Sequence, residues 1–135
     1  MRKRLLFTVL AAPLILLLCA PCTFMYDTKP GDYATANMAQ LKTRILAYAN
    51  SHGRLPATLA ELIESKEHKF LLVDDWRREI QYRHDEAGVV TLYSLGADGR
   101  LGGEGGNRDI VGVFETRDDH GQVKQTAGWK IRPHR

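Results

Sequence analysis

Ile80-Gln-Tyr-Arg-His-Asp-Glu-Ala-Gly-Val-Val-Thr-Leu-Tyr-Ser94 is the stretch that decides the fold. Its apolar period is two. Ile80, Tyr82 and His84 alternate with Gln81 and Arg83, which is the pattern of a half-buried strand. Glu86-Ala87-Gly88 supplies turn residues, and Val89–Ser94 follows as a β-rich run. Together they predict an antiparallel hairpin.

Upstream of the hairpin the period is that of a helix. Ala34, Met38, Leu41, Ile45 and Tyr48 recur at spacings of three and four between Tyr33 and Ser51, which puts them on one face. Asp32 is the expected N-cap. His52-Gly53 is the expected stop, with Gly53 suited to the left-handed position past a helix end. Thr58 and Glu61 have capping-box spacing ahead of a short second helix with Leu59, Leu62 and Ile63 as its apolar face. Residues 65–69 are polar and predict a loop. Phe70-Leu71-Leu72-Val73 predicts a short buried run. Trp76, among Asp74, Asp75, Arg77 and Arg78, fits a core anchor at a turn.

Downstream of the hairpin, Leu95 to Arg108 is a glycine-rich loop and Ile110 to Glu115 a third strand candidate. The polar residues after Thr116 carry one late apolar pair, Trp129 and Ile131, and form either a last strand or a loosely ordered tail. One long helix, a short helix and a small antiparallel sheet make an α+β domain.

The 135-residue length suits one domain. We divide it into an N-terminal membrane anchor or signal segment (1–26), a globular domain (27–116) and a polar C-terminal tail (117–135). The chain has 19 Lys+Arg against 16 Asp+Glu, and Arg2, Lys3 and Arg4 account for the whole excess. The basic balance is therefore a cytoplasm-retained n-region, not a nucleic-acid footprint, and no basic stripe with aromatics accompanies it. No charge lies between Arg4 and Asp27. As a helix, Leu5 to Met25 would reach about 30 Å, enough to cross a bilayer. Pro13 and Pro21 would kink or end it. A retained anchor and a signal cleaved after Ala20-Pro21-Cys22 both fit. Cys19 and Cys22 sit in this segment and have no second Cys or His pair to complete a metal set, so the globular part has no disulfide of its own.

The chemistry-bearing segment is Ser94-Leu-Gly-Ala-Asp-Gly-Arg-Leu-Gly-Gly-Glu-Gly-Gly-Asn-Arg-Asp109. Its six glycines allow inward-facing carbonyls, and Asp98, Glu104 and Asp109 add carboxylates. That oxygen set suits calcium, which accepts flexible geometry; zinc would want His or Cys, which the loop lacks. On composition alone, two other readings stay open: a flexible connector, and a loop in which Arg100 and Arg108 pair with the carboxylates. The P-loop, the dinucleotide fingerprint and the EF-hand do not fit, since the loop lacks a Lys, a following helix and alternating carboxylates respectively. The five histidines are dispersed, and no nucleophile elbow or His-Glu-x-x-His pair occurs. We therefore expect a protein that is not an enzyme.

Four motifs in order resemble the protein G (major pseudopilin) family of type II secretion. They are Tyr48-Ala-Asn-Ser-His-Gly-Arg-Leu-Pro56, Leu59-Ala-Glu-Leu62, Asp74-Asp-Trp-Arg-Arg-Glu-Ile-Gln-Tyr82, and Ser94-Leu-Gly-Ala-Asp-Gly-Arg-Leu-Gly-Gly103 followed by Asp109-Ile110. The resemblance implies a pseudopilin-like fold, with a long helix laid on a small antiparallel sheet, and a loop that binds Ca2+. By position it makes Asp98 and Asp109 side-chain ligands and Leu95 a carbonyl ligand. Glu104 is added from chemistry as the remaining carboxylate in reach. The implied role is structural, in a secretion filament, with pseudopilins or secretion machinery as protein partners and a membrane reached through the N-terminus. The implied location is the inner membrane, with the domain in the periplasm; secretion after cleavage is the alternative. Neither nucleic acid nor a small-molecule substrate is implied. Three departures stand out. Leu6 occupies the place of the glycine at which prepilin peptidase cuts, and Ala11 that of the glutamate five residues later. Asp75 and Arg77 replace the proline and glycine of the Asp-Pro-Trp-Gly turn, so that turn is expected to change. A stand-alone envelope protein that keeps the fold and binds partners is the alternative function.

Overall fold

The protein is described from a computed structural model that covers residues 29–63 and 66–131. The anchor-or-signal segment and the altered cleavage motif lie outside these residues. Among the described residues, no helix is long and apolar enough to cross a membrane.

Helix α1 spans Asp32–His52, about 30 Å at 1.5 Å per residue. The predicted stripe is its inner face: Ala34, Met38, Leu41 and Ile45 are fully buried, and Tyr48 is half-buried. Leu46 and Ala49 widen the face. Gly53 ends the helix at φ 68°, its N–H bonded to the Ala49 carbonyl 2.9 Å away, as a left-handed cap requires. The start of the helix differs from expectation. Gly31 is the N-cap, Asp32 is already helical, and the Asp32 carboxylate accepts from the N–H of Lys29 instead.

The second helix is a single 3-10 turn, Leu59–Leu62. Its Glu61 carboxylate accepts from the N–H groups of Ala57 and Thr58, the acidic half of a capping box. The same carboxylate accepts from the Tyr48 hydroxyl at 2.5 Å and pairs with Arg54 at 3.1 Å. Chiefly through the Tyr48 bond, its pKa falls from 4.5 to about 2. Where a loop was expected, Lys66–Leu72 forms a longer 3-10 helix. Leu71 is buried, but Phe70 is 47% exposed, so the predicted buried run is only partly so.

The sheet has three antiparallel strands in the order β1 (Gln81–His84), β2 (Val89–Ser94), β3 (Ile110–Glu115). The hairpin registers Tyr82 with Leu92, and β2 registers Leu92 with Gly112 and Val90 with Phe114. Alternation therefore turns Val90, Leu92, Ile110 and Phe114 towards α1, and all four are buried in one cluster with its apolar face. Each such side chain contributes about 1.5–3 kcal/mol by leaving water. A helix laid on an antiparallel sheet is the α+β architecture that the two sequence periods predict.

The tail returns to the core. Trp129 stands edge-on to Phe114 with ring centroids 5.4 Å apart, and it fills the space above Gly112, where an added Cβ would lie 2.5 Å from its ring. Lys42 of α1 clasps it from the other side, donating to the Ala127 carbonyl and lying 4.6 Å from the indole centroid. Ile131 makes one bridge to Val113 at the edge of β3.

Candidate functional site: the glycine loop and the turn beneath it

The turn at Asp74–Arg78 carries the loop. Asp74 is 2% exposed, yet its carboxylate is fully used. Oδ1 accepts from the N–H groups of Trp76 and Arg78, both at 2.9 Å, and Oδ2 accepts from Ser94 Oγ at 2.7 Å. Arg78 Nε stands 3.8 Å from Oδ2, an ion pair too long to be a hydrogen bond. One buried carboxylate thus fixes the turn and ties it to the residue at which the glycine loop begins. The turn is closed by Arg77 N–H, which bonds the Asp74 carbonyl at 3.1 Å. Arg77 manages this by taking φ 62°, the left-handed conformation a glycine would adopt freely.

Asp75, in the place of the expected proline, caps α1 from a distance. Its carboxylate accepts from Ala34 N–H at 2.8 Å and from Tyr33 N–H at 3.4 Å. These are orphan donors of the first helical turn, where a negative charge also meets the positive end of the helix dipole.

Above the turn, the two limbs of the loop are pinned together. Arg78 Nη2 donates to the Gly96 carbonyl. Ala97 N–H bonds the Gly106 carbonyl at 2.9 Å. At Gly96, with φ 59°, an added Cβ would lie 2.4 Å from the Asn107 carbonyl oxygen, so no other residue fits there without moving the backbone. The loop is therefore a built structure, more than a slack connector. Arg100 and Arg108 are not what builds it, because among the described residues neither forms an ion pair with a carboxylate.

The four residues singled out from the sequence fall as follows. The Leu95 carbonyl accepts from Gly99 N–H at 3.1 Å. Asp98 is exposed, and its Oδ1 accepts from Arg100 N–H at 3.0 Å. Glu104 is exposed and precedes the 3-10 turn Gly105–Asn107 without capping it by its side chain. Asp109 is half-buried; its Oδ2 accepts from Gly102 N–H at 2.9 Å, while its Oδ1 is buried with no hydrogen-bond partner. Asp109 also lines a cavity of about 230 Å³ with Pro30, Trp76, Gly105, Gly106 and Arg108. Among the described residues, no three His, Cys, Asp or Glu side chains gather as a metal-sized cluster, so Asp98, Glu104 and Asp109 are not brought together as a trio. A cation here would depend on one or two carboxylates and on backbone carbonyls. The unpartnered Asp109 oxygen fits that description, because a buried anionic oxygen without a donor is costly unless a cation or water meets it.

Sequence reasoning missed Asp74, Arg78 and Ser94 as parts of the site. The signal is present in the Asp-x-Trp spacing and in the serine that opens the loop, but by residue pattern alone Asp74 and Arg78 read as turn residues and Ser94 as the end of a strand.

Residues 26–113 match the family model for type II secretion system (T2SS), protein G. No curated protein and no solved structure matches the chain.

Proposed function

The chain belongs to the type II secretion system protein G family, and from that premise we propose that it is a calcium-stabilised, pseudopilin-like structural component of a type II secretion or related filament. The observation that carries this reading is the reach of the family match, which takes in α1, the Asp74 turn, the glycine loop and most of β3. Its place would be the inner membrane, with the domain in the periplasm and pseudopilins or other secretion proteins as partners.

For the ion, the Leu95 carbonyl and the Asp98 and Asp109 carboxylates are the proposed ligands, with Glu104 a further carboxylate in the same loop. The free Asp109 Oδ1 supports this. Bound calcium would supply a positive charge that closes the loop, in a domain whose described part has no cysteine to do so.

A specific sequence observation favours a second reading, in which the domain stands alone in the envelope and binds partners. Leu6 and Ala11 replace the glycine and glutamate expected for processing and filament packing. In cells that make a type II system, cross-linking from exposed Thr43 on α1 separates the two. Adducts with pseudopilins, together with a shortened N-terminus, support filament membership. An intact N-terminus with no pseudopilin adduct would refute it and leave the stand-alone reading.

A further inference from the structure

β1 and β3 are the outer strands of the sheet, and they differ in what they offer another chain. β1 reads Gln-Tyr-Arg-His, four residues of which three are exposed. A strand so short, with Arg83 in its middle, is a poor template for a further strand. β3 reads Ile-Val-Gly-Val-Phe-Glu, with three β-branched residues, no proline and a single charge. An uncovered edge on such a run invites strand addition.

The tail covers it. Lys130 N–H donates to the Val113 carbonyl at 2.6 Å, and Val113 N–H donates to the Ile131 carbonyl at 3.3 Å. Both backbone groups of Val113 are thereby taken at the outer edge. Alternation along the strand turns the backbone groups of Val111 and Glu115 to the same side, so the tail bonds the middle of the three outward-facing residues. Two further contacts hold it there. Glu115 pairs with Lys124 at 3.1 Å and with Lys130 at 2.5 Å, and so ties the tail at two points. Trp129, directly before the bridge, sits over Gly112 and against Phe114, with Lys42 of α1 on its other side. The indole therefore sets the register at which Lys130 and Ile131 meet Val113.

The cover is short. It makes one bridge to β3, Ile131 is 54% exposed, and Pro133, two residues on, has no N–H to extend a ladder. The tail thus blocks one edge without building a long new one. The match to the family model ends at Val113, so the tail lies beyond the matched residues.

We propose that the tail is an edge guard, which occupies the outer edge of β3 and denies it to the β3 of a second copy of this chain. With the guard removed, two β3 edges pair antiparallel about a two-fold axis at Val113, an interface that uses the same strand from both copies. The proposal depends neither on calcium nor on filament membership.

The test uses the full chain in mild detergent, with Cys19→Ala and Cys22→Ala and a single new cysteine, Val113→Cys or Val111→Cys. Pairing about Val113 sets the two copies of that residue about 5.5 Å apart at Cα, within reach of a disulfide. It sets the two copies of Val111 about 14 Å apart, out of reach. The guard is opened in two ways: by ending the chain at Trp129, which keeps the indole, and by Lys130→Pro, which keeps the whole tail but removes the N–H that meets Val113. Disulfide-linked dimer after mild oxidation is read on a non-reducing gel, and far-UV circular dichroism reports the fold. Several-fold more dimer is expected at position 113 in both opened chains than in the starting chain, with no comparable rise at position 111. Equal dimer in starting and opened chains, or an equal rise at 111 and 113, would overturn the guard. Loss of the folded spectrum in both opened chains would also overturn it, because the bridge would then be part of the folding core.

Discussion

Replacing Asp74 with alanine removes the group on which both the turn and the root of the glycine loop depend. Three donors lose their acceptor at once: the N–H groups of Trp76 and Arg78, and the Ser94 hydroxyl. Arg78 loses its only carboxylate partner among the described residues. A single hydrogen bond to a charged group is worth about 1.5–3 kcal/mol, but these share one carboxylate and do not add. Breaking a buried charged network by removing one partner costs about 3–5 kcal/mol. A domain of this size holds about 5–15 kcal/mol in total, so Asp74→Ala should forfeit a large part of its stability. Ser94→Ala removes one bond and should cost about 1–1.5 kcal/mol. Urea unfolding of residues 27–135, for wild type, both single variants and the double, measures these values and their coupling. Because Ser94 and Asp74 are partners, the double variant should be no worse than Asp74→Ala alone. A cost below about 1 kcal/mol for Asp74→Ala, or strict additivity of the pair, would refute the role given to this carboxylate.

Two further perturbations are informative. Arg77→Gly should raise stability by about 0.5–1 kcal/mol, since the left-handed conformation costs an L-residue about 1–2 kcal/mol and glycine returns about 0.5–1 kcal/mol of that as chain entropy; an unchanged or lower urea midpoint would contradict the strain at φ 62°. Glu61, held at about 2 from an ordinary 4.5 chiefly by the Tyr48 hydroxyl, contributes stability that is full above pH 4.5 and is lost as pH falls towards 2. Glu61→Gln should flatten that part of the acid limb, and an identical acid profile would show that the Tyr48–Glu61–Arg54 cluster does not hold in solution.

Much of the fold was legible because it is written in periods. The stripe from Ala34 to Ile45 and the alternation through Ile80–Ser94 each repeat locally, and burial follows both except at His84, which is exposed at the end of β1. Gly53 and Glu61 were legible for the same reason, as their partners lie within a few residues. What escaped was long-range. Asn37 is polar on an apolar face, and its partners are 33 and 36 residues away. Asp75 caps helix N–H groups that lie 41 and 42 residues earlier, and nothing near Asp75 announces that helix. The local candidate, Asp32, satisfied the N-cap rule and still lost to Gly31. Residues 65–69 have no apolar period and read as a loop, because the 3-10 helix Lys66–Leu72 repeats every three residues and is organised by Asn37 from outside. In the loop, residue types pointed to an oxygen-rich site, but the half-burial of Asp109 and the exposure of Asp98 and Glu104 depend on the fold of the glycines between them.

The Asp109 oxygen without a donor gives the sharpest test of a calcium-organised, pseudopilin-like domain. The measurement is thermal unfolding of residues 27–135 in calcium and in chelator, for wild type, Asp109→Asn and Asp98→Ala. At about tenfold excess over its dissociation constant, a ligand of the folded state adds about 1.4 kcal/mol, or about 6–10 °C in a domain of this length. The account predicts a rise of that order in wild type, abolished in Asp109→Asn and reduced in Asp98→Ala. Midpoints that ignore calcium in all three proteins would contradict it, and would mean that Arg78, Ser94 and the loop's own backbone bonds hold the loop without an ion.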